Sequence, residues 1–197
     1  PVIEDSTAAP EYAAENTEEP EETEETNLSA TTGRPLPEGS VYRPVVAVID
    51  NSAQSRPQTG LMLADVVYEF LLERSSYTTR YLAVFSDSIP ERIGPIRDSR
   101  DYLSAAALEW DGLYISAGDP ENAGTDYTLI RDSGLGKCVE NTGDAAGYFY
   151  IDKTVTAIEE HTLFFKALDY VDSFYTASGT ASAERFVFSF GRDEQLR

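Results

Sequence analysis

The sequence predicts an α/β domain built on a mixed, partly parallel sheet flanked by helices. Three observations carry that expectation. Val45-Val46-Ala47-Val48-Ile49 is an unbroken apolar run rich in β-branched residues, the pattern of a strand covered on both faces. Segments of strand and helix character alternate after it, which argues for helices packed on a sheet. Hydrophobic residues make up 41% of the 197-residue chain, enough for one domain with a core.

Taken in order, the first stretch is different in kind. From Pro1 to Gly39 there are eleven acidic residues and one basic residue, Arg34. Such a segment buries too little apolar area to offset the entropy of ordering, so residues 1–39 are expected to be a disordered, self-repelling acidic linker. Residues 40–180 should form the α/β domain. Its first strand, Val45–Ile49, ends at the turn cluster Asp50-Asn51-Ser52. Leu61–Glu73 reads as a helix, Tyr81–Phe85 as a second strand, Asp98–Trp110 as a helix stopped by Gly112, and Leu113–Ser116 as a third strand. A short helix near Asp126–Asp132, strands near Lys137–Glu140 and Tyr148–Ile151, and a helix near Glu160–Val171 follow. Phe186–Phe190 reads as a strand close to the end, and such a strand needs a neighbour. Residues 181–197 are therefore expected to begin a C-terminal region that this chain cuts short.

Charge and composition exclude several classes. A formal charge of -20 repels a phosphate backbone, so no nucleic acid is expected as a partner. Cys138 has no second cysteine for an intramolecular disulfide, and one His with one Cys falls short of a structural zinc site. No metal is expected. No run of about 18 apolar residues is present to span a bilayer as a helix. Gly134-Leu135-Gly136-Lys137 lacks the upstream Gly and the following Ser/Thr of a phosphate-binding loop. Asp119–Gly124 opens like an EF-hand, but Ala123 and Ile130 stand at ligand positions. Ser116 lacks the glycine of a nucleophile elbow, no dinucleotide fingerprint follows the first strand, and no cofactor is expected.

Three constellations could carry chemistry. Asp65, Glu69 and Glu73 share one stripe if Leu61–Glu73 is helical, either as a solvated edge or as carboxylates facing a polar pocket, with Asp65 or Glu69 as a general base. In Arg92-Ile93-Gly94-Pro95-Ile96-Arg97-Asp98-Ser99-Arg100-Asp101, the Gly-Pro turn and a helix start would set Arg97 and Arg100 one turn apart. Structurally, Arg97 could pair with Asp101, and Arg100 with Asp65 or Glu69, in a buried network; Arg100→Ala would then cost about 3–5 kcal/mol. Functionally, the same two guanidinium groups form a fork for a carboxylate, phosphate or uronate. His161, the only histidine, is either a structural hydrogen-bonder or an acid/base group near Asp152 and Lys153.

These residues lie in segments that resemble the YerB-like family of bacterial lipoproteins, a family defined by a domain of unknown function. The matching pieces are Arg43-Pro-Val-Val-Ala-Val-Ile-Asp-Asn51, Arg56–Leu61, Ala64–Glu69, Thr79-Arg-Tyr-Leu-Ala-Val-Phe85, Ile93-Gly-Pro-Ile-Arg-Asp-Ser-Arg-Asp-Tyr102 and Asp111–Gly118, with a weaker match from Phe149–Lys153 to His161–Phe164. The resemblance implies a lipid-anchored protein on the extracellular face of a bacterial membrane, with the anchor upstream of Pro1. It also implies a further C-terminal region. The family pattern falls on Asp65, Glu69, Arg97, Arg100, Asp152, Lys153 and His161, which suggests a shared polar site. Asp98 stands where the pattern has Ser, placing a negative charge between the arginines, and Thr162 stands where it has Asn. The expected ligand-binding residues are Arg97, Arg100, Asp152 and Lys153, and the candidate catalytic ones are Asp65, Glu69 and His161. The expected activity is binding of an anionic cell-wall component or an envelope protein. The alternative is a cell-envelope hydrolase with a carboxylate acid/base.

Overall fold

Val45–Asp50 forms β1, and all six residues are buried. Its alternating side chains feed two separate cores, which is what a β-branched run without a polar face is suited to do. Val45, Ala47 and Ile49 enter one core, and Val46 and Val48 enter the other. The computed structural model that shows this describes residues 28–40, 42–73, 77–117, 130, 132, 137–139, 141, 143–156 and 158–178. Of the expected helix near Asp126–Asp132 only Ile130 and Asp132 are described, both helical, and the strand at Phe186–Phe190, the C-terminal region from 181 and most of the acidic linker lie outside the described residues.

The remaining strands are β2 (Val66–Glu73), β3 (Thr78–Phe85), β4 (Leu113–Ile115), β5 (Lys137–Val139), β6 (Phe149–Ile151) and β7 (Leu163–Phe165). One five-stranded sheet has the order β2-β3-β1-β4-β5, and β6 and β7 form a separate two-stranded ribbon. β3 is antiparallel to β1, with Val45 opposite Phe85 and Asp50 opposite Arg80. β4 runs parallel to β1, and β5 parallel to β4. The sheet is therefore mixed and partly parallel. Helix α1 (Asp101–Ala107) covers one face, where Leu103, Ala107 and the ring of Trp110 meet Val46, Val48, Leu82 and Val84. Helix α2 (Ala167–Ser178) and the β6–β7 ribbon cover the other, where Phe165, Tyr170 and Val171 meet Val45, Ile49 and Phe85.

Two segments expected to be helical are not. Leu61–Leu63 is a single 3-10 turn and Val66–Glu73 is strand β2, paired antiparallel with β3 from Val66 opposite Val84 onward. Val66, Val67, Tyr68 and Phe70 are the β-branched and aromatic types that suit a pleated surface, and that preference wins. Residues 160–171 divide into a 3-10 turn (Glu159–His161), strand β7 and the start of α2, because Thr162-Leu163-Phe164-Phe165 supplies a strand before Ala167 opens the helix. The helix expected over Asp98–Trp110 is shorter. α1 begins at Asp101, and Arg100 is extended, with φ -146° and ψ 154°. At the far end the left-handed residue is Asp111, while Gly112 is required because a Cβ there would stand 2.4 Å from the carbonyl oxygen of Pro44.

Residues 28–39, assigned to the linker by composition, fold back onto the domain. Leu28 bridges Pro35, Ser29 and Thr31 are buried, and the hydroxyls of Ser29 and Thr32 each donate to Asp87, both at 2.5 Å. Hydroxyl-to-carboxylate bonds let so polar a stretch dock without an apolar core of its own. Among the described residues, no helix is long and apolar enough to cross a membrane.

Candidate functional site

In an open sheet, ligands collect outside the carboxyl ends of parallel strands, where the following loops diverge. Here that edge is made by Asp50 at the end of β1, Ala117 after β4 and Asn141 after β5. β4 stops at Ile115, and an extended crossing segment, Ile93–Arg97, takes over its place beside the last residues of β1. Asp50 N–H donates to the Pro95 carbonyl (3.0 Å), Arg97 N–H to that of Val48 (3.0 Å), and Ala117 N–H to that of Arg97 (2.8 Å). The same segment holds β7, since Ile93 and Phe165 exchange two bonds of 2.9 Å and Ile96 N–H reaches the Leu163 carbonyl at 2.7 Å. Gly94 permits this crossing: a Cβ there would sit 2.6 Å from the Phe164 ring. Arg97 therefore comes from an extended segment and not from a helix start, and it is carried to the edge with His161.

Asp50 is the centre of what results. Its Oδ1 accepts from Ser52 N–H at 2.8 Å, a turn that ends β1, and its Oδ2 lies 2.5 Å from His161 Nδ1 and 3.5 Å from Arg97 Nε. A carboxylate offers only lone pairs, so Nδ1 carries the ring proton and Nε2 is the nitrogen turned outward. Nε2 faces Glu160 Oε1 at 3.5 Å, and Glu160 Oε2 lies 3.5 Å from Arg97 Nη2. Arg97 Nη1 also donates to the Glu160 backbone carbonyl. Ser52 Oγ stands 3.4 Å from the same Nδ1 that Asp50 holds. A serine relay needs its hydroxyl on the opposite ring nitrogen, so Ser52 is not placed as a nucleophile.

Behind this group lies a second charge cluster. Arg80, buried on β3, reaches Asp98 with Nη2 at 2.6 Å and the Asp98 carbonyl with Nη1 at 2.5 Å. Arg100 binds the other Asp98 oxygen. Burial by itself would push the Asp98 carboxyl up, but hydrogen bonds and charge from Arg80, then Arg100, outweigh it and hold it below its ordinary value.

Two cavities open here and share a wall. One, of about 310 Å³, is lined by Asp50, Ser52, Thr79, Arg80 and His161 among others, and one of about 330 Å³ by Ile96, Asp98, Ala117, Asn141 and Glu159 among others. Arg97 and Glu160 line both.

Of the residues expected from the sequence, Arg97 and His161 meet in this cluster and Arg100 joins it through Asp98. The pairings differ from those expected: Arg97 turns to Asp50, Asp98 and Glu160 and not to Asp101, and Arg100 to Asp98 and not to Asp65 or Glu69. Glu69 lies on β2 and accepts from Asn51 Nδ2 (2.9 Å) and Thr79 Oγ1 (2.7 Å), which links it to the turn after β1. Asp65 is elsewhere. Its Oδ2 accepts from the Ser86 N–H and hydroxyl and from Asp87 N–H at 2.7, 3.0 and 3.0 Å, fixing the loop after β3. Asp152 caps its own turn through Thr154 N–H (2.9 Å) and Oγ1 (2.5 Å), bonds that hold its carboxyl below the usual range, and Lys153 is exposed on that turn. Asp50, Arg80 and Glu160 are the site residues that sequence reasoning missed. Asp50 ends a strand buried on both faces, and Arg80 interrupts an apolar strand; both are signals of a charge needing a partner.

A family model described as "Protein of unknown function (DUF3048) N-terminal domain" matches residues 31–181, which include the sheet and both cavities. The chain belongs to this family. A protein of Bacillus subtilis (strain 168) described as "Putative lipoprotein YerB" is 40% identical over 76 residues, 39% of this chain and 22% of the relative. The crystal structure of YerB protein from Bacillus subtilis superposes with a TM-score of 0.61 and 26% identity, covering 77% of this chain and 50% of that one. The likeness to YerB read from the Gly-Pro-Ile-Arg segment thus extends to the α/β fold, and the chain matches no more than half the length of either relative.

Proposed function

We propose that this DUF3048 domain is a recognition module of the bacterial cell envelope, held at the extracellular face of the membrane by a lipid anchor, which binds an anionic group of a cell-wall component. The anchor and location rest on the lipoprotein description of the YerB relative. One observation carries the binding reading. Arg97 and His161 are both fixed from behind by Asp50, and at the carboxyl edge of β1, β4 and β5 Arg97 lines both cavities and His161 one of them. A guanidinium fixed before the ligand arrives binds an anion without the entropy cost of ordering it.

The test is a thermal-shift titration of the protein, wild type beside Arg97→Ala, with muropeptides, teichoic-acid fragments and uronates. A ligand at 100 times its Kd stabilises the native state by about 2.7 kcal/mol. The wild-type melting temperature should rise with at least one class of ligand, and that of Arg97→Ala should not. Equal shifts in both proteins, or none in wild type, would overturn the reading.

A second reading, an envelope hydrolase, is favoured by the Asp50–His161 contact, which orients the ring with Nε2 outward as a general base is oriented. It moves the acid/base role to His161, because the carboxylates of Asp65 and Glu69 are taken up by hydrogen bonds. His161→Asn should then abolish muropeptide turnover while ligand-induced shifts persist; wild-type protein that releases no product removes this reading.

A further inference from the structure

Glu160 stands in the place where an anion would be recognised. We infer that its carboxylate is a built-in occupant of a carboxylate subsite formed by Arg97 at the edge of the His161 ring, and that a carboxylate of the ligand displaces it. The inference rests on the binding reading above and narrows its anion to one class.

The contact has the form of a bound ligand. One Glu160 oxygen faces Arg97 Nη2 and the other lies beside His161 Nε2, each at 3.5 Å; Nε2 offers it no hydrogen while the ring proton is on Nδ1. Charge-assisted bonds at full strength are about 2.7–2.9 Å long. The occupant is thus loosely held, and its side chain is 61% exposed, against 21% for Arg97, 9% for His161 and 6% for Asp50. The receptor, by contrast, does not depend on that carboxylate. Asp50 holds His161 at 2.5 Å and Arg97 at 3.5 Å, and Arg97 also bonds the backbone carbonyl of Glu160, which stays when the side chain rotates away.

Charge and space point the same way. With the Glu160 side chain turned out, Arg97 still faces the carboxylates of Asp50 and Asp98, with the exposed Glu159 on the same turn. A singly charged carboxylate meets less repulsion from these groups than a phosphate near two negative charges does. Because Glu160 forms part of both cavity walls, a carboxylate that takes its place borders both. A competitor tethered in the site scales apparent affinity by the fraction of time it leaves the site free. For an exposed ion pair that fraction corresponds to a factor of about two to five.

The single histidine makes this measurable, since one imidazole spin system reports the subsite. The whole chain is titrated with acetate, N-acetylalanine and, separately, inorganic phosphate while the His161 ring resonances are followed by NMR in wild type, Glu160→Gln and Glu159→Gln. Glu160→Gln should bind both carboxylates about two- to five-fold more tightly than wild type, with Glu159→Gln unchanged and phosphate weaker throughout. Equal tightening in Glu159→Gln would show only a lowered rim charge and would overturn the displacement. Phosphate preferred over acetate would overturn the ligand class. If muropeptides stabilise the protein but acetate moves His161 in neither wild type nor Glu160→Gln, this inference fails alone. If no cell-wall ligand stabilises it while acetate binding tightens in Glu160→Gln, the cell-wall reading fails and the subsite stands.

Discussion

Asp98 and Arg80 contact each other but are not equivalent, and the difference decides what each substitution costs. The Arg80 side chain is 5% exposed and that of Asp98 is 41%. Asp98→Ala therefore leaves a cation stranded in the interior, a change costing about 3 kcal/mol, at the low end of the range because water reaches the vacated side. Arg80→Met leaves a carboxylate that water and Arg100 still satisfy, and should cost about 1–2 kcal/mol. Urea denaturation of the two variants checks the order, and a costlier Arg80→Met would sink the argument. Arg100, with a side chain 39% exposed, is not the buried keystone that the sequence allowed, and Arg100→Ala should cost about 1 kcal/mol or less. Asp98 also sets a pH dependence. Its carboxyl is held below the ordinary value of 3.8, so the native state binds fewer protons than the unfolded chain. The stability this supplies is fully present above that value and is lost as pH falls through the lower, folded one. The difference in melting temperature between wild type and Asp98→Asn should be constant at neutral pH and shrink below about pH 4.

Among the elements, the segment Ile93–Arg97 matters most to the site, because it joins β1 to β7 and so brings Arg97 to His161. Gly94→Ala would put a methyl carbon 2.6 Å from the Phe164 ring and 3.1 Å from the Leu163 carbonyl oxygen. Overpacking of that kind costs about 1–3 kcal/mol. Since the strain falls on the contact that positions Arg97, ligand-induced stabilisation should fall together with the urea midpoint; a variant losing neither would show the crossing to be pliable. β1, β4 and the Tyr81–Phe85 part of β3 were legible because buried strands are continuous apolar runs, and β5 and β6 fall within the segments expected for them. β2 was not legible, because its carboxylates recur every fourth residue. Four is close to one helical turn and is also twice the strand period, so the spacing of Asp65, Glu69 and Glu73 fits a regular helix and a regular strand alike, although the bulge between Leu71 and Glu73 takes Glu73 out of line with Glu69. Only residue type separates the two, through Val66, Val67, Tyr68 and Phe70. The site was half legible for a related reason. Arg97, Arg100 and His161 lie in recognisable segments, but the Asp50–His161 contact joins residues 111 apart and no local spacing encodes it.

At the scale of the molecule, the question is where the folded unit starts. Ten acidic residues and no basic one lie in residues 1–27, and a stretch so charged and so poor in apolar side chains contributes little to a core. Beyond it, Ser29 and Thr31 are buried, and two hydroxyls converge on Asp87. Asp87 N–H is in turn held by Asp65 at 3.0 Å, so the segment, the loop after β3 and the start of β2 form one chain of bonds. Removing residues 1–27 should therefore leave the melting temperature unchanged. Removing residues 1–40 deletes two bonds to a carboxylate, together worth about 2 kcal/mol once the cost of ordering the segment is subtracted. In a domain of this size that corresponds to a drop of about 4–8 °C. Asp87→Ala supplies the check that the loss belongs to this contact and not to some general effect of shortening. In the full chain it should reproduce most of the drop, and in the protein lacking residues 1–40 it should add little, because the two changes remove the same interaction. If the two losses simply add, the segment is anchored by something other than Asp87, and the folded unit does not begin with this clasp.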